Sequence, residues 1–114
     1  MYTYKAYVVS IYDGDTIRVN VDLGFGVYNK GNNGKGEPLR LYGINAPEVR
    51  GEQRDQGLIS RDRLRELILD KDIIIKTIKD SKGKYGRYLA NVYLDDVNIN
   101  EQLVAEGLAV FKEY

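Results

Sequence analysis

Acid–base chemistry in this chain has to come from carboxylates, lysines or tyrosines, because its 114 residues include neither histidine nor cysteine. Their absence excludes Ser-His-Asp mechanisms, cysteine nucleophiles, disulfides and thiolate zinc sites. Any bound metal would have to be a hard, oxygen-preferring ion such as Ca²⁺ or Mg²⁺. The formal net charge is zero, so only a local cluster of cations could attract nucleic acid.

Two aspartates flank Gly14 near the start of the chain. Asp15 has the same parity as Ile17 and Val19 in the alternating segment that follows, so its carboxylate is expected to point inward. Carboxylates are rarely buried without a partner, which makes Asp15 a candidate for chemistry. The local sequence favours a simpler interpretation, in which Asp13 and Asp15 are turn residues.

A second group of candidates lies between Arg40 and Glu48, in the sequence Arg-Leu-Tyr-Gly-Ile-Asn-Ala-Pro-Glu. Arg40 stands in an otherwise apolar segment. Glu48 follows Pro47, whose fixed φ restricts where the carboxylate can lie. The alternative is a surface Arg–Glu pair of little energetic value.

A basic turn forms the third group of candidates. It contains Lys82, Lys84, Tyr85 and Arg87. A solvated surface is the ordinary explanation for such a run. None of the three groups is specific by itself.

Hydrophobic patterning predicts the strands that position these residues. Alternating or β-branched segments indicate five strands, at residues 5–12, 16–22, 39–44, 72–78 and 87–94. A glycine-rich connection over 24–37 is expected to be a loose hairpin loop. Residues 80–86 are expected to form a turn.

Two helices complete the pattern. A helical period runs from Arg54 to about Asp70, and its small and apolar residues share one face: Gly57, Ser60, Leu64, Leu67 and Ile68. The two small residues would let this helix approach a sheet closely. Asn98 or Asn100 could cap a short second helix that ends near Gly107.

The order of elements is three strands, a helix, two strands and a helix. Five short strands with one interposed helix favour a small closed barrel, because closure removes the strand edges. The prediction is therefore one mainly β, α+β domain spanning residues 1–114.

Taken together, the motifs resemble the staphylococcal-nuclease-like (thermonuclease) family, in that family's order and near its spacings. The matching segments are Asp13-Gly14-Asp15-Thr16, Arg40 to Glu48, Lys84-Tyr85-Gly86-Arg87, and Asn100 to Ala109. The resemblance extends from about Tyr4 to Ala109. It implies a five-stranded OB-fold barrel and Ca²⁺-dependent hydrolysis of phosphodiester bonds in DNA and RNA.

The resemblance also implies roles for single residues. Asp15, Thr16 and Asn45 match positions at or near the calcium ion, and the residue matching Ala46 contributes its backbone carbonyl. These four oxygen donors suit a hard cation.

The remaining matched positions concern the substrate. Arg40 and Arg87 match the arginines that hold the scissile phosphate, and Glu48 matches the glutamate proposed as general base. Lys84 and Tyr85 match residues that contact a phosphate of the bound nucleotide. A divalent ion and two guanidiniums could neutralise a phosphorane-like transition state, so no histidine is needed.

Two features depart from the family pattern. Asn45 stands where the best-known members have aspartate, which removes one negative charge from the implied ligand set. The chain also stops at Tyr114, where longer members continue into a further helix. Phe111 and Tyr114 lie near the family's nucleotide-contacting aromatics, and packing against the core or fraying of the chain end is an equal alternative for both.

A different class of function fits part of the sequence. A catalytically weak or inactive OB-fold module could bind single-stranded nucleic acid or a protein partner through stacked aromatics and a basic groove. The chain offers ten tyrosines and the arginines at 50, 54, 61, 63 and 65. A pure binder, however, has no need for Arg40, Glu48 and Arg87 together.

Location and assembly are weakly determined by the sequence. No apolar run approaches the length of a membrane span, and residues 1–5 lack a signal-peptide core. Without a signal peptide in these residues, a cytoplasmic protein is expected; if a signal was removed, a secreted one is expected. A monomer is expected.

Overall fold

The computed structural model describes residues 2–78 and 87–112. The expected turn over 80–86 lies outside these ranges. The described residues form two helices, α1 at Arg54–Ile68 and α2 at Ile99–Ala105, and one 3₁₀ turn at Gly51–Gln53. The nine strands of the described ranges are β1 Tyr2–Asp13, β2 Thr16–Asp22, β3 Tyr28–Asn29, β4 Glu37–Leu41, β5 Ile44–Asn45, β6 Asp72–Thr77, β7 Tyr88–Leu94, β8 Val97–Asn98 and β9 Val110–Phe111.

Five of these strands close into a barrel. Strand β1 pairs with both β2 and β6, β2 pairs with β4, and β6 pairs with β7, all antiparallel. A parallel pairing between β4 and β7 completes the circle. The predicted five-stranded OB-fold barrel, with one helix between its third and fourth strands, is confirmed.

The barrel core follows from the alternation of β2. Ile17, Val19 and Val21 are buried, while the residues between them face outward. Leu39 and Leu41 of β4 fill the same interior. A period-two pattern with one buried face fixes the register, since a one-residue slip would place every apolar side chain in water.

The prediction of one strand over 39–44 is wrong. Strand β4 ends at Leu41, and a turn through Gly43, whose φ of 76° favours glycine, starts the separate strand β5. Strand β5 pairs with β9 instead of joining the barrel. The apolar sequence does not show this break, because Leu41 and Ile44 are both buried.

The glycine-rich connection is also more ordered than predicted. Strand β3 lies within it and pairs with the end of β2, Tyr28 opposite Asp22. The loose hairpin loop predicted over 24–37 therefore contains a short third strand at the edge of the sheet.

Helix α1 buries the face that its period predicts. Gly57, Ser60, Leu64 and Ile68 are buried, and Leu67 packs partly against the core. The helix ends at Ile68, two residues before the expected end. Within the described ranges, neither helix is long and apolar enough to cross a membrane.

Small residues allow α1 to approach the segment after β5. A Cβ atom on Gly57 would collide with the backbone carbonyl of Glu48. A Cβ atom on Gly14 would lie 2.7 Å from the Cβ of Ala46 and 2.9 Å from that of Ser60. Residues 46–48 therefore pack directly against α1 and against the Asp-Gly-Asp turn. The contacts are made by backbone atoms and short side chains.

Two asparagines organise α2. Asn98 is its N-cap, and its Oδ1 accepts from the backbone N–H of Glu101 at 3.0 Å. Asn100 is buried in the fold. Its Nδ2 donates to the carbonyls of Tyr42 (2.9 Å) and Ala90 (3.2 Å), and its Oδ1 accepts from the N–H of Val92 (3.1 Å). It thus ties the turn after β4 to β7.

Replacing Gly57 with alanine tests the close helix approach. On helix propensity alone the change should stabilise the protein by up to about 1 kcal/mol. Because the methyl group collides with the Glu48 carbonyl, we expect Gly57→Ala to lower the free energy of unfolding by about 1–3 kcal/mol instead. Urea denaturation measures the sign. Gln56→Ala, on the exposed side of the same turn, should be neutral or slightly stabilising; a stabilised Gly57→Ala would contradict the packing described.

Candidate active site

Asp15 is buried at the start of β2, with only 6% of its surface exposed. Its Oδ2 accepts from the backbone N–H of Ala46 at 2.8 Å, and its Oδ1 accepts from the hydroxyl of Thr16 at 3.0 Å. The expected inward orientation is correct. The turn interpretation also holds for Asp13, whose Oδ1 accepts from the N–H of Asp15 at 3.0 Å.

Asp13 is a buried carboxyl that the sequence assigned only to a turn. Burial, and then the neighbouring Asp15 carboxylate, raise the pKa of Asp13 to about 7. Asp13 therefore keeps its proton up to a higher pH than an exposed aspartate would. Its parity with Asp15 and Ile17 is the sequence signal that indicates burial.

Arg40 lies against Asp15 and is almost as buried. Its Nη2 is 3.5 Å from Asp15 Oδ2 and donates to Asn45 Oδ1 at 2.9 Å. Its Nη1 donates to the carbonyls of Leu41 (3.2 Å) and Ile44 (3.1 Å). The turn between β4 and β5 therefore folds back on the guanidinium and fixes its plane.

Arg87 reaches the same place from the start of β7. Its Nη1 donates to the hydroxyl of Thr16 at 3.3 Å. The strand pairings explain this meeting, because Thr16 of β2 lies opposite Arg40 of β4, which in turn lies opposite Leu89 of β7. Asp15, Thr16, Arg40, Asn45 and Arg87 form one connected cluster, the strand-end cluster.

Glu48 lies outside the hydrogen bonds of this cluster. It is exposed, and its backbone N–H donates to the side chain of Gln53 at 3.2 Å. Its carbonyl packs against Gly57 of α1. Among the described residues, no ion pair or side-chain hydrogen bond restrains its carboxylate, which projects from a backbone that the helix holds on one side and Pro47 on the other.

The remaining candidate residues lie outside the strand-end cluster or outside the described ranges. Lys84, Tyr85 and Tyr114 lie outside the described ranges. Phe111 is exposed on β9, opposite Ile44 and beside the strand that carries Asn45. The contacts of Lys84 and Tyr85 with a nucleotide remain predictions.

The donor set of the strand-end cluster fits a hard cation. Asp15, Thr16 and Asn45 offer only oxygen, the donor that Ca²⁺ and Mg²⁺ prefer. The Nη2 of Arg40 lies within ion-pair or hydrogen-bond distance of both Asp15 Oδ2 and Asn45 Oδ1. These oxygens therefore already favour a positive charge. Within the described ranges no three acidic side chains converge, so at most two carboxylates could serve and neutral oxygens would have to complete the coordination.

Three arginines of α1, Arg61, Arg63 and Arg65, are engaged with acidic neighbours. Arg61 pairs with Asp62 at 3.1 Å, and Arg65 approaches the same carboxylate at 3.8 Å. Arg63 pairs with Glu106 at 2.7 Å, which lowers the pKa of that glutamate. These arginines therefore form ion pairs on a solvated face of the helix.

Sequence reasoning missed one exposed pair beside the site. The guanidinium of Arg50 donates to the hydroxyl of Tyr12 at 2.7 Å and lies 6.0 Å from its ring centre. The two residues are 38 positions apart, so no local pattern could have indicated the contact.

Comparisons with known proteins place the chain in a family. Residues 38–114 match the family model described as staphylococcal nuclease homologue. The chain is 33% identical to a thermonuclease of Staphylococcus hyicus over 115 aligned residues, which cover 98% of this chain and 60% of that protein.

Two bacterial endonucleases are similar to the same degree. Identity is 34% with endonuclease YncB of Bacillus subtilis, over 85% of this chain and 43% of that protein. It is 34% with an uncharacterized endonuclease of Haemophilus influenzae, over 94% of this chain and 52% of that protein. The chain thus spans between 43% and 60% of the length of these relatives. It belongs to the staphylococcal nuclease homologue family.

Proposed function

We propose that this protein is a nuclease that hydrolyses phosphodiester bonds of DNA or RNA with Ca²⁺ as its cofactor. The observation that carries the proposal is the meeting of two guanidiniums, those of Arg40 and Arg87, at the Asp15–Thr16 pair. Relatives named thermonuclease and endonuclease support it.

The arginines are the groups suited to the phosphate. A planar guanidinium can donate two parallel hydrogen bonds to phosphate oxygens, and its charge is worth most in a site with little water. Arg40 and Arg87 would hold the scissile phosphate and neutralise the charge that develops on it during attack. In binding a phosphate, Arg40 would exchange contacts of its Nη2 with Asp15 and Asn45 for contacts with a phosphate oxygen.

Glu48 is the residue proposed as general base. It would take a proton from the attacking water at a carboxylate oxygen. Its exposure leaves the carboxylate accessible to water, while the contact of its carbonyl with Gly57 limits backbone movement. A general base has to be positioned within hydrogen-bond reach of the proton that it removes.

Asp15, Asn45 and Thr16 would hold the cation, with the carbonyl of Ala46 as a further oxygen. The ion would supply positive charge beside the phosphate and polarise it as a Lewis acid. Because Asn45 contributes an amide, the ligand set carries less negative charge than one with aspartate there, and the affinity for Ca²⁺ should be correspondingly weaker.

A nuclease assay distinguishes this proposal from an OB-fold module that binds without cutting. Single- and double-stranded DNA and RNA would be incubated with the protein in Ca²⁺, in Mg²⁺ and in a chelator. We expect cleavage in Ca²⁺ and none in the chelator. Retention of single strands without cleavage in any metal would favour the binding module.

Replacing Glu48 with glutamine tests the general base. The change is nearly isosteric, so the fold should persist, while kcat should fall by roughly 10²–10⁴. Glu52→Gln, an exposed neighbour in the 3₁₀ turn, is the matched control and should stay close to wild type. A Glu48→Gln variant with wild-type kcat would assign the proton transfer to another group.

Replacing the arginines with lysine tests the geometry of phosphate capture. Arg40→Lys and Arg87→Lys retain the charge but lose the guanidinium fork. We expect both to impair turnover more than the binding of a nucleotide product, measured by steady-state kinetics and calorimetry. An equal loss in turnover and in product binding would indicate that the arginine contacts are already made in the ground state.

Replacing Asn45 with aspartate tests the metal ligands. The added charge should tighten Ca²⁺ binding and raise activity at limiting Ca²⁺, with the gain shrinking at saturation. Calorimetric titration with Ca²⁺, alongside a nucleotide analogue, measures the change directly. The same Ca²⁺ affinity in both proteins would remove Asn45 from the ligand set and leave Asp15 as its side-chain carboxylate.

A further inference from the structure

A groove of about 440 Å³ begins at the strand-end cluster and continues over the outer face of the barrel. Thr16 and Arg87 form its inner end, so it is continuous with the proposed phosphate site. Its walls come from β1, β2 and β4 and include Tyr12, Arg18 and Pro38. None of these three residues has a part in the chemistry proposed above.

Tyr12 presents an aromatic surface to this groove. Its side chain is about half exposed, at 49%. Arg50 donates to its hydroxyl and lies near its ring, which fixes the ring orientation and adds positive charge beside it. An oriented tyrosine with a cation alongside is the kind of surface on which an unpaired nucleobase stacks.

Arg18 places a positive charge in the groove, two residues along β2 from Thr16. The two residues lie on the same outward face of β2, separated by about 6.6–6.8 Å because they are two positions apart in a strand. Arg18 lies opposite Ser10 of β1 and Pro38 of β4. Its Nη1 donates to the carbonyl of Gly36 at 3.1 Å, which anchors the guanidinium over the groove.

The charge of the outer face changes sign along β2. Beyond Arg18 the outward positions are Asn20 and Asp22. The charged residues that line a second groove are four aspartates and one lysine: Asp22, Asp72, Asp95, Asp96 and Lys5. A polyanion is therefore attracted to the end with Arg18 and Arg87 and repelled from the other.

We propose that the Tyr12–Arg18 groove binds the single-stranded polynucleotide next to the scissile phosphate. One base stacks on Tyr12 and a flanking phosphate pairs with Arg18. The occupant is a single strand because stacking on Tyr12 requires a base face that a duplex does not expose. This inference rests on the proposed nuclease function and adds the path of the substrate beyond the reacting phosphate.

The test compares two substrates that differ in how much of the groove they occupy. A short single-stranded oligonucleotide spans the groove, whereas a nitrophenyl ester of a mononucleotide occupies only the reacting position. For Tyr12→Leu we expect kcat/KM for the oligonucleotide to fall by about tenfold relative to that for the ester, in line with the loss of one stacked base. Tyr28→Leu is the matched control, since Tyr28 is equally exposed, has Lys30 5.8 Å from its ring centre and lines the acidic groove.

Arg18→Gln gives a second, independent readout. Binding of a labelled oligonucleotide to the Glu48→Gln background, measured by fluorescence anisotropy over a salt series, should lose about 0.7 from the slope of log affinity against log salt. Thermal unfolding verifies that Arg18→Gln and Tyr12→Leu remain folded.

The outcomes separate this inference from the proposed function. One outcome is that the wild type cleaves both substrates while Tyr12→Leu changes neither the ratio of the two kcat/KM values nor the affinity for the oligonucleotide. In that case the groove is not the substrate path, and the nuclease assignment stands. If the wild type cleaves neither substrate, the nuclease assignment fails. The anisotropy measurements then still decide whether the groove binds single strands. If Tyr12→Leu and Arg18→Gln leave the oligonucleotide affinity and its salt dependence unchanged, the proposal that the groove binds single strands is overturned.

Discussion

The burial of the Asp15 carboxylate is the constraint around which this domain is arranged. A buried charge is costly unless it is paired and hydrogen-bonded, and breaking such a pair leaves an uncompensated charge in the interior. Asp15 meets the requirement with the N–H of Ala46, the hydroxyl of Thr16 and the guanidinium of Arg40. Each partner comes from a different part of the local structure, so the carboxylate links the start of β2 to β4 and to the segment after β5.

Small residues make that link geometrically possible. Ala46 can reach Asp15 only because Gly14 and Ser60 leave room between the Asp-Gly-Asp turn and α1. The same helix supports the Glu48 carbonyl through Gly57. Packing density in the interior thus sets the position of the proposed base, although its carboxylate lies in solvent. Asn100 adds a second restraint, because it holds the carbonyl of Tyr42 in the turn that Arg40 depends on.

The sequence predicted what depends on periodicity and missed what depends on tertiary contact. Alternation in β2 and the helical period of α1 gave the barrel, its buried face and the inward Asp15, because side-chain direction follows from chain position. The break after Leu41, the internal hydrogen bonds of Asn100 and the Tyr12–Arg50 pair join residues that no local pattern relates. The resemblance to a known family predicted which residues form the candidate site. Nothing in the sequence predicted the hydrogen bonds between them.

Asn45 shows why those hydrogen bonds matter for function. Arg40 Nη2 lies between Asp15 and Asn45, so it faces one full carboxylate charge and one amide dipole. An aspartate at position 45 would attract a divalent ion more strongly, but it would also bind Arg40 more strongly. Since the proposed phosphate would compete with these oxygens for the same Nη2, the amide would both weaken the hold on a cation and ease the release of the guanidinium. Under the proposed function, the residue at this position would therefore set a balance between cation affinity and phosphate capture, because both would depend on one pair of oxygen atoms.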